Sequence, residues 1–159
     1  MEIGVYRERD REAVIELVLH CQNDGTRPPV SVQDQPELLC IERAYMAGGG
    51  NFWVARDEGR VAGSIGLMRA EEETGILKKF FVYEQYRGAP HHLGSQLYAV
   101  LLAFAREQGL RRLILDTPKN TERAHKFYER AGFYKIPEQQ LPLVYDHPYR
   151  DCDFFCLDL

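Results

Sequence analysis

No run of apolar residues in the chain is long enough to cross a bilayer. The longest, Leu97 to Ala105, falls well short of the roughly 20 residues that a membrane helix needs. The opening residues Met1 to Tyr6 lack the basic and apolar regions of a signal peptide. Together these absences predict a soluble, cytoplasmic protein with no membrane partner. Charge of one sign is also missing as a block: 20 Lys and Arg stand against 24 Asp and Glu, for a net charge of -4, and the basic residues are scattered. Nonspecific nucleic-acid binding needs a concentrated basic footprint, so no nucleic-acid partner is expected. Among Cys21, Cys40, Cys152 and Cys156 there is no Cys-x-x-Cys pair, and a chain of this length needs no disulfide framework. Buried thiols and no metal are the expectation. His20 beside Cys21 falls in a helical apolar pattern and reads as a packed or half-exposed pair. The Gly-Lys-Ser/Thr segment of a P-loop is absent, which ranks a nucleotide-phosphate binder last. There is no internal repeat and no low-complexity tract.

What is present suits one domain over residues 1–159, with 45% hydrophobic residues to build its core. Ile3 and Val5 alternate as a strand, and Asp10 stands where it can cap a helix whose stripe is Val14, Ile15, Leu17, Val18 and Cys21. Gln22 to Pro36, rich in proline and polar residues, reads as a long loop of the functional kind. A second helix is predicted over Glu37 to Ala47, stopped by Gly48, Gly49 and Gly50. Phe52 to Arg56, Val61 to Met68 and Ile76 to Tyr83 read as three antiparallel strands. Leu93, Leu97, Val100, Leu101 and Phe104 mark the clearest helix, capped by Gly109. Leu113 to Leu115 is a buried strand, Thr121 to Ala131 a helix closed by Gly132, and Phe133 to Ile136 and Asp153 to Leu159 are final strands. This order gives an α+β fold in which the strand, helix, strand unit from Ile76 to Leu115 makes a right-handed parallel crossover.

The chemistry concentrates between Leu77 and Leu97. A strand that ends at Arg87-Gly88 and leads through Ala89-Pro90-His91-His92 into Leu93-Gly94-Ser95-Gln96-Leu97 presents helix N-terminal amides and a positive dipole end to an anion. Arg87 adds a fixed charge suited to a phosphate oxygen. The bland alternative is that glycine and proline merely punctuate the helix start. His92, like His91, reads first as a solvated helix-start residue and second as a further donor.

The segment Ile76 to Ile136 resembles the central region of the GNAT N-acetyltransferase superfamily, and two stretches carry the likeness. The family's pyrophosphate signature runs Arg or Gln, two residues, Gly, one residue, Gly or Ala. Arg87 matches its first position and Gly94 its last, with two extra residues between them and no middle glycine. The second stretch is Thr121-Glu122-Arg123-Ala124-His125-Lys126-Phe127-Tyr128-Glu129-Arg130-Ala131-Gly132-Phe133, which is similar to the helix after the family's fifth strand. Asn120 stands one position ahead of the Asn that the family places at Thr121.

The resemblance implies a GNAT-like fold, a mixed and mostly antiparallel twisted sheet of about seven strands with four flanking helices. It implies acetyl-CoA as cosubstrate without a metal, and acetyl transfer to a small-molecule or peptide amine by direct attack in a ternary complex. Arg87, Gly88, His92, Leu93, Gly94, Ser95 and Thr121 would bind the cofactor. Phe81 and Val82 would offer backbone groups to the pantetheine arm and the thioester carbonyl. Tyr128 would protonate or hydrogen-bond the departing thiolate, the competing role being a place in the apolar stripe with Ala124 and Ala131. For the base, Asp116 competes with Glu84, and an Asp before Thr117-Pro118 also suits a plain turn. The acceptor would be walled by Gln22 to Pro36 and Pro137 to Asp151, which hold Asp34, Tyr145, Asp146 and Tyr149. A homodimer is carried by resemblance alone. The alternative function is a catalytically silent CoA-binding or partner-binding module with the same fold.

Overall fold

The computed structural model describes residues 1–71, 73–143, 145, 147 and 151–159. Its strands are β1 (Glu2–Val5), β2 (Asn51–Asp57), β3 (Arg60–Arg69), β4 (Thr74–Val82), β5 (Arg112–Pro118), β6 (Tyr134–Ile136) and β7 (Cys152–Asp158). They form one seven-stranded sheet in the order β1-β2-β3-β4-β5-β7-β6. The β4–β5 ladder is parallel and the other described ladders are antiparallel. The α-helices are α1 (Arg11–Gln22), α2 (Leu93–Glu107) and α3 (Glu122–Arg130).

Alternation along β2 explains why both faces of the sheet are covered. Phe52 and Val54 enter a cluster with Val14, Val18, Leu38, Ile41 and Tyr45. Trp53 and Ala55 point the other way, into a cluster with Leu97, Leu101, Tyr128 and Phe155. Successive strand side chains must face opposite sides, so a strand with no polar face needs a helical layer on each. Helix α2 supplies one layer with Leu93, Leu97, Leu101 and Ala105. Helix α1 and the segment after it supply the other.

Two local expectations are corrected. The helix predicted over Glu37 to Ala47 is a 3-10 turn, Pro36–Leu39, followed by a π-helical turn, Glu42–Met46. Ala47 N–H donates five residues back to Glu42 O at 2.8 Å. The widened turn still buries Leu38, Ile41 and Tyr45 completely, so the apolar stripe is satisfied by irregular geometry. Asp10 does not cap α1. Its carboxylate accepts from Arg7 N–H at 2.9 Å and pairs with Arg56 of β2, which ties the chain entry to the sheet.

The feature that creates the site is the early end of one ladder. β4 and β5 pair only from Thr74↔Arg112 to Ile76↔Ile114, yet β4 runs on to Val82 and β5 to Pro118. Beyond Ile76 the two strands diverge. A register shift between Ser64 and Gly66 of β3 bends β4 in the same region, where Lys79 takes a left-handed φ of 55°, the local kink expected of a β-bulge.

Candidate active site

The divergence opens a cleft of about 640 Å³ lined by β4 from Leu77 to Val82, β5 at Asp116 and Thr117, the start of α2, and the Tyr128 face of α3. Val82 lies opposite Gly63, and the next residue, Tyr83, donates its N–H to Ala62 O at 3.0 Å. Paired residues of an antiparallel ladder alternate between bonded and non-bonded types. Val82 is therefore of the non-bonded type, and its own N–H and C=O face the gap left by β5. Phe81, opposite Ser64, directs its main chain toward β3. Of the two residues expected to offer backbone groups, Val82 has the geometry for it. Phe81 contributes to the lining of the cleft.

The loop from Arg87 to Gly94 absorbs its two extra residues in a turn. His92 N–H donates to Gly88 O at 2.7 Å, with Gly88 at φ 66° and His92 at φ 47°. The first intrahelical bond is Gln96 N–H to His92 O at 3.2 Å, so the amides of Leu93, Gly94 and Ser95 precede it and open on the helix N-terminus. The Leu93 side chain is fully buried in the core, so what Leu93 can offer a ligand is its main chain. At Gly94 an added Cβ would touch nothing nearer than the Phe80 ring at 3.6 Å. His92 is exposed at the rim of the cleft.

Arg87 lines the cleft, but its guanidinium is turned onto β4: Nε donates to Val82 O at 2.8 Å, and Nη2 lies 3.8 Å from Cys21 Sγ. Burial raises the Cys21 thiol pKa, against the lowering effect of Arg87. Arg123 of α3 also lines this region. Burial and the charge of Arg87 hold its pKa below the usual value.

Tyr128 is 7% exposed. Its phenol pKa is raised well above the ordinary value, by burial first and then by the charge of Asp116 and by Tyr98. It stays protonated across the physiological range, as a proton donor must. Phe80 of β4 packs on Phe127 and Tyr128 of α3, with ring centroids 5.4 and 6.4 Å apart, and so sets the distance across the cleft floor. Packing and lining the cleft are thus both true of Tyr128.

Asp116 lies inside β5, paired with Phe154, and does not make the turn that its sequence context also suited. Its Oδ1 accepts the Tyr145 O–H at 3.0 Å, and its Oδ2 lies 4.0 Å from Cys152 Sγ. The rival base Glu84 sits in a 3-10 turn with its side chain 59% exposed and is held by His20 Nε2 at 3.0 Å. A hydrogen bond from its own backbone N–H lowers its pKa, burial opposes this slightly, and His20 adds to the lowering. Both carboxylates line the cleft; Asp116 differs in being half-buried and held by a neutral phenol, whereas Glu84 is exposed and paired with a histidine.

The long loop is held by its own hydrogen bonds and by contacts with the β5–α3 turn. Asp34 accepts from Ser31 N–H at 2.8 Å and Ser31 O–H at 3.2 Å, so it caps its own turn. Thr26 and Arg27 instead reach across to the β5–α3 turn: Asn120 Nδ2 donates to Thr26 O at 3.1 Å and Arg27 Nη1 to Asn120 Oδ1 at 3.3 Å. The Thr121 hydroxyl is turned inward, donating to Pro118 O at 2.6 Å and lying 2.9 Å from the Thr117 hydroxyl. Asp146 and Tyr149 lie outside the described residues.

Sequence reasoning missed a buried polar network at the bulge. Lys79, 6% exposed, donates to Gln35 Oε1 at 2.8 Å and pairs with Glu37 at 3.1 Å. Gln35 and Gln22 are bonded to each other, so the network joins α1 and the long loop to β4. A buried Lys at a non-glycine left-handed position leaves no periodic signal to read. Cys40 was expected to be buried and is half-exposed. Among the described residues no helix is long and apolar enough to cross a membrane.

Comparison with known proteins agrees with this geometry. Residues 13–133 match the model of the acetyltransferase (GNAT) family. An acetyltransferase from Streptococcus agalactiae 2603 superposes with a TM-score of 0.94 at 36% identity, covering 99% of this chain and 98% of that one. A Xenopus tropicalis protein described as a probable N-acetyltransferase, camello, is 33% identical over 110 residues, which are 67% of this chain and 49% of its own. The chain thus spans about half the length of the curated relatives it matches. A Salmonella typhimurium protein solved with its cofactor acetyl-CoA shares the fold, with a TM-score of 0.73 at 18% identity over 99% of this chain and 92% of that one.

Proposed function

The chain belongs to the acetyltransferase (GNAT) family, and from that premise we propose that it transfers an acetyl group from acetyl-CoA to an amine by direct attack in a ternary complex. One observation carries the reading: past Ile76 and Ile114 the strands β4 and β5 part, and the gap is lined by Val82, by Gly94 and Ser95 at the start of α2, and by Tyr128.

Acetyl-CoA supplies a thioester whose carbonyl carbon accepts the amine and whose thiolate leaves. The amides of Leu93, Gly94 and Ser95, with Gly88, Arg87 and His92 beside them, hold its pyrophosphate, since a helix N-terminus favours an anion through both donors and dipole. Thr121 lines the same cleft. Val82 N–H is the donor placed for charge that develops on the carbonyl oxygen. Asp116 takes the proton of the ammonium acceptor, directly or through water. Tyr128 gives its phenolic proton toward the departing sulfur. No cysteine is assigned a covalent acetyl intermediate.

The competing reading, a silent CoA-binding module, rests on the lengthened loop. That loop closes through the His92 to Gly88 bond and leaves the α2 amides ahead of their first helical partner, which suits CoA binding in either reading; Tyr128 in the cleft lining is what favours turnover. The reading also includes a cytoplasmic location, a small-molecule or peptide amine as acceptor, no nucleic-acid or membrane partner, and a homodimer. A panel of amines with acetyl-CoA, followed by thiol release and acceptor mass shift, tests the function. Release that depends on an amine is expected. Calorimetric binding of CoA without release from any amine would leave the silent CoA-binding module, and no binding heat would leave only a partner-binding module of the same fold.

A further inference from the structure

The β5–β7 ladder pairs Asp116 with Phe154 and Pro118 with Cys152. Alternate residues of a strand share a face, so Asp116 and Cys152 are diagonal neighbours on one side of the sheet. His147 approaches from the segment before β7, its ring edge-on to Phe154 at 5.5 Å and to Tyr145 at 6.0 Å. The three donor atoms, one each from Asp116, His147 and Cys152, all lie within 4.8 Å of one another.

We propose that Asp116, His147 and Cys152 form a binding site for a thiophilic divalent cation of the zinc class, and that its occupation inhibits acetyl transfer by withdrawing Asp116 from proton transfer. The metal site stands on the geometry of the cluster. The inhibitory consequence rests on the proposed role of Asp116.

A sulfur, an imidazole nitrogen and one carboxylate oxygen make a donor set that selects zinc over magnesium or calcium, which take oxygen ligands. Ligands around tetrahedral zinc stand roughly 3.5 Å apart, so closing the set needs movement of about an ångström, and His147 lies outside the sheet ladder. The carboxylate is already oriented for the task. Oδ1 is held by Tyr145 O–H, leaving Oδ2 toward Cys152 Sγ, the kind of outer partner that fixes a metal-binding carboxylate. On binding, the Cys152 thiol releases its proton to bulk water and coordinates as thiolate. A water would complete the four-coordinate set, and Asp116 itself also lines the cleft.

Cobalt(II) titrated into the purified protein without acetyl-CoA provides a readout independent of activity. A thiolate-to-cobalt charge-transfer band, displaced by zinc, is expected. Cys152→Ser should abolish the band, and His147→Ala should weaken apparent affinity at least about tenfold. In the acetyl-transfer assay zinc should inhibit the native protein, and His147→Ala, each protein being compared with its own metal-free rate, should need at least about tenfold more zinc. Cobalt binding without the band, or affinity unchanged in both variants, overturns the site. A cobalt band with no zinc inhibition of an active enzyme overturns the regulatory half. If the protein transfers no acetyl group at all, the cobalt titration still decides the metal site.

Discussion

The guanidinium of Arg87 and the carbonyl of Val82 are joined by a 2.8 Å hydrogen bond, so the cation expected at a pyrophosphate is turned onto the strand expected to meet pantetheine. Val82 O faces the cleft, and an amide of a bound ligand that reached it would compete with Arg87. Release of the guanidinium toward the mouth of α2 would then accompany cofactor binding. The two expected subsites would then be coupled through one side chain.

Replacing Arg87 by Ala should therefore weaken acetyl-CoA binding by about tenfold, the scale of one charge-assisted contact, with acceptor KM little changed. Charge contacts to phosphate are screened by salt. Calorimetry at low and high ionic strength should show a shallower salt dependence in the variant, and identical affinities in both proteins would defeat the assignment.

For Tyr128, the raised phenol pKa keeps the donor protonated, and removing the hydroxyl removes the proton without removing the ring. Tyr128→Phe should lower kcat by about 10²-fold, the lower range for a positioned general acid. Cofactor affinity should stay within a few fold, since the ring still packs on Phe80 and Phe155. Unchanged turnover with a good acceptor would leave Tyr128 as packing alone.

Asp116 and Tyr145 form the next test. Asp116→Asn keeps the shape and loses the base, so kcat should fall by about 10²-fold while CoA binding is retained. Tyr145→Phe removes the hydrogen bond that orients Oδ1 and should lower kcat by a smaller factor, with KM for CoA unchanged. A Tyr145→Phe enzyme with native turnover would show that Asp116 needs no such support, or is not the base.

Which of these features the sequence made legible follows from how each is encoded. The two-sided burial of β2 is written in Phe52-Trp53-Val54-Ala55, and the α2 stripe in Leu93, Leu97 and Leu101, because period is a property of neighbours. The cleft walls were legible through the Arg87 to Gly94 and Thr121 to Phe133 stretches. The π-helical turn was not, since Leu38, Ile41 and Tyr45 fit an α-helical stripe equally well over so few residues. Contacts such as Tyr145 with Asp116, or His147 with Cys152, join a loop without period to strands that pair only in the fold. Lys79 was invisible for a further reason: its burial depends on Glu37 and Gln35 arriving from the other side of a bulge.

That Lys79–Glu37 pair gives a pH prediction. Burial raises the Glu37 pKa, but Lys79, Lys78 and the Lys79 hydrogen bond together bring it below the ordinary carboxylate value. For Lys79, burial lowers the pKa and Glu37 only partly restores it. The two shifts describe one pair: desolvation costs both partners, and the carboxylate gains more because two ammonium groups serve it. A carboxyl whose folded pKa lies below its unfolded value stabilises the fold above the unfolded pKa. That stabilisation disappears as pH falls through the folded one. Glu37→Gln leaves Lys79 buried without its anion and should cost about 3 kcal/mol at neutral pH. The gap between the two proteins should then narrow on acidification below the ordinary Glu range, as the native carboxylate is protonated. Urea melts at neutral and acid pH measure it. A gap that stays constant or widens toward acid would mean that Glu37 is not held ionised by the lysines, and that the network at the bulge is maintained by Gln35 and Gln22 instead.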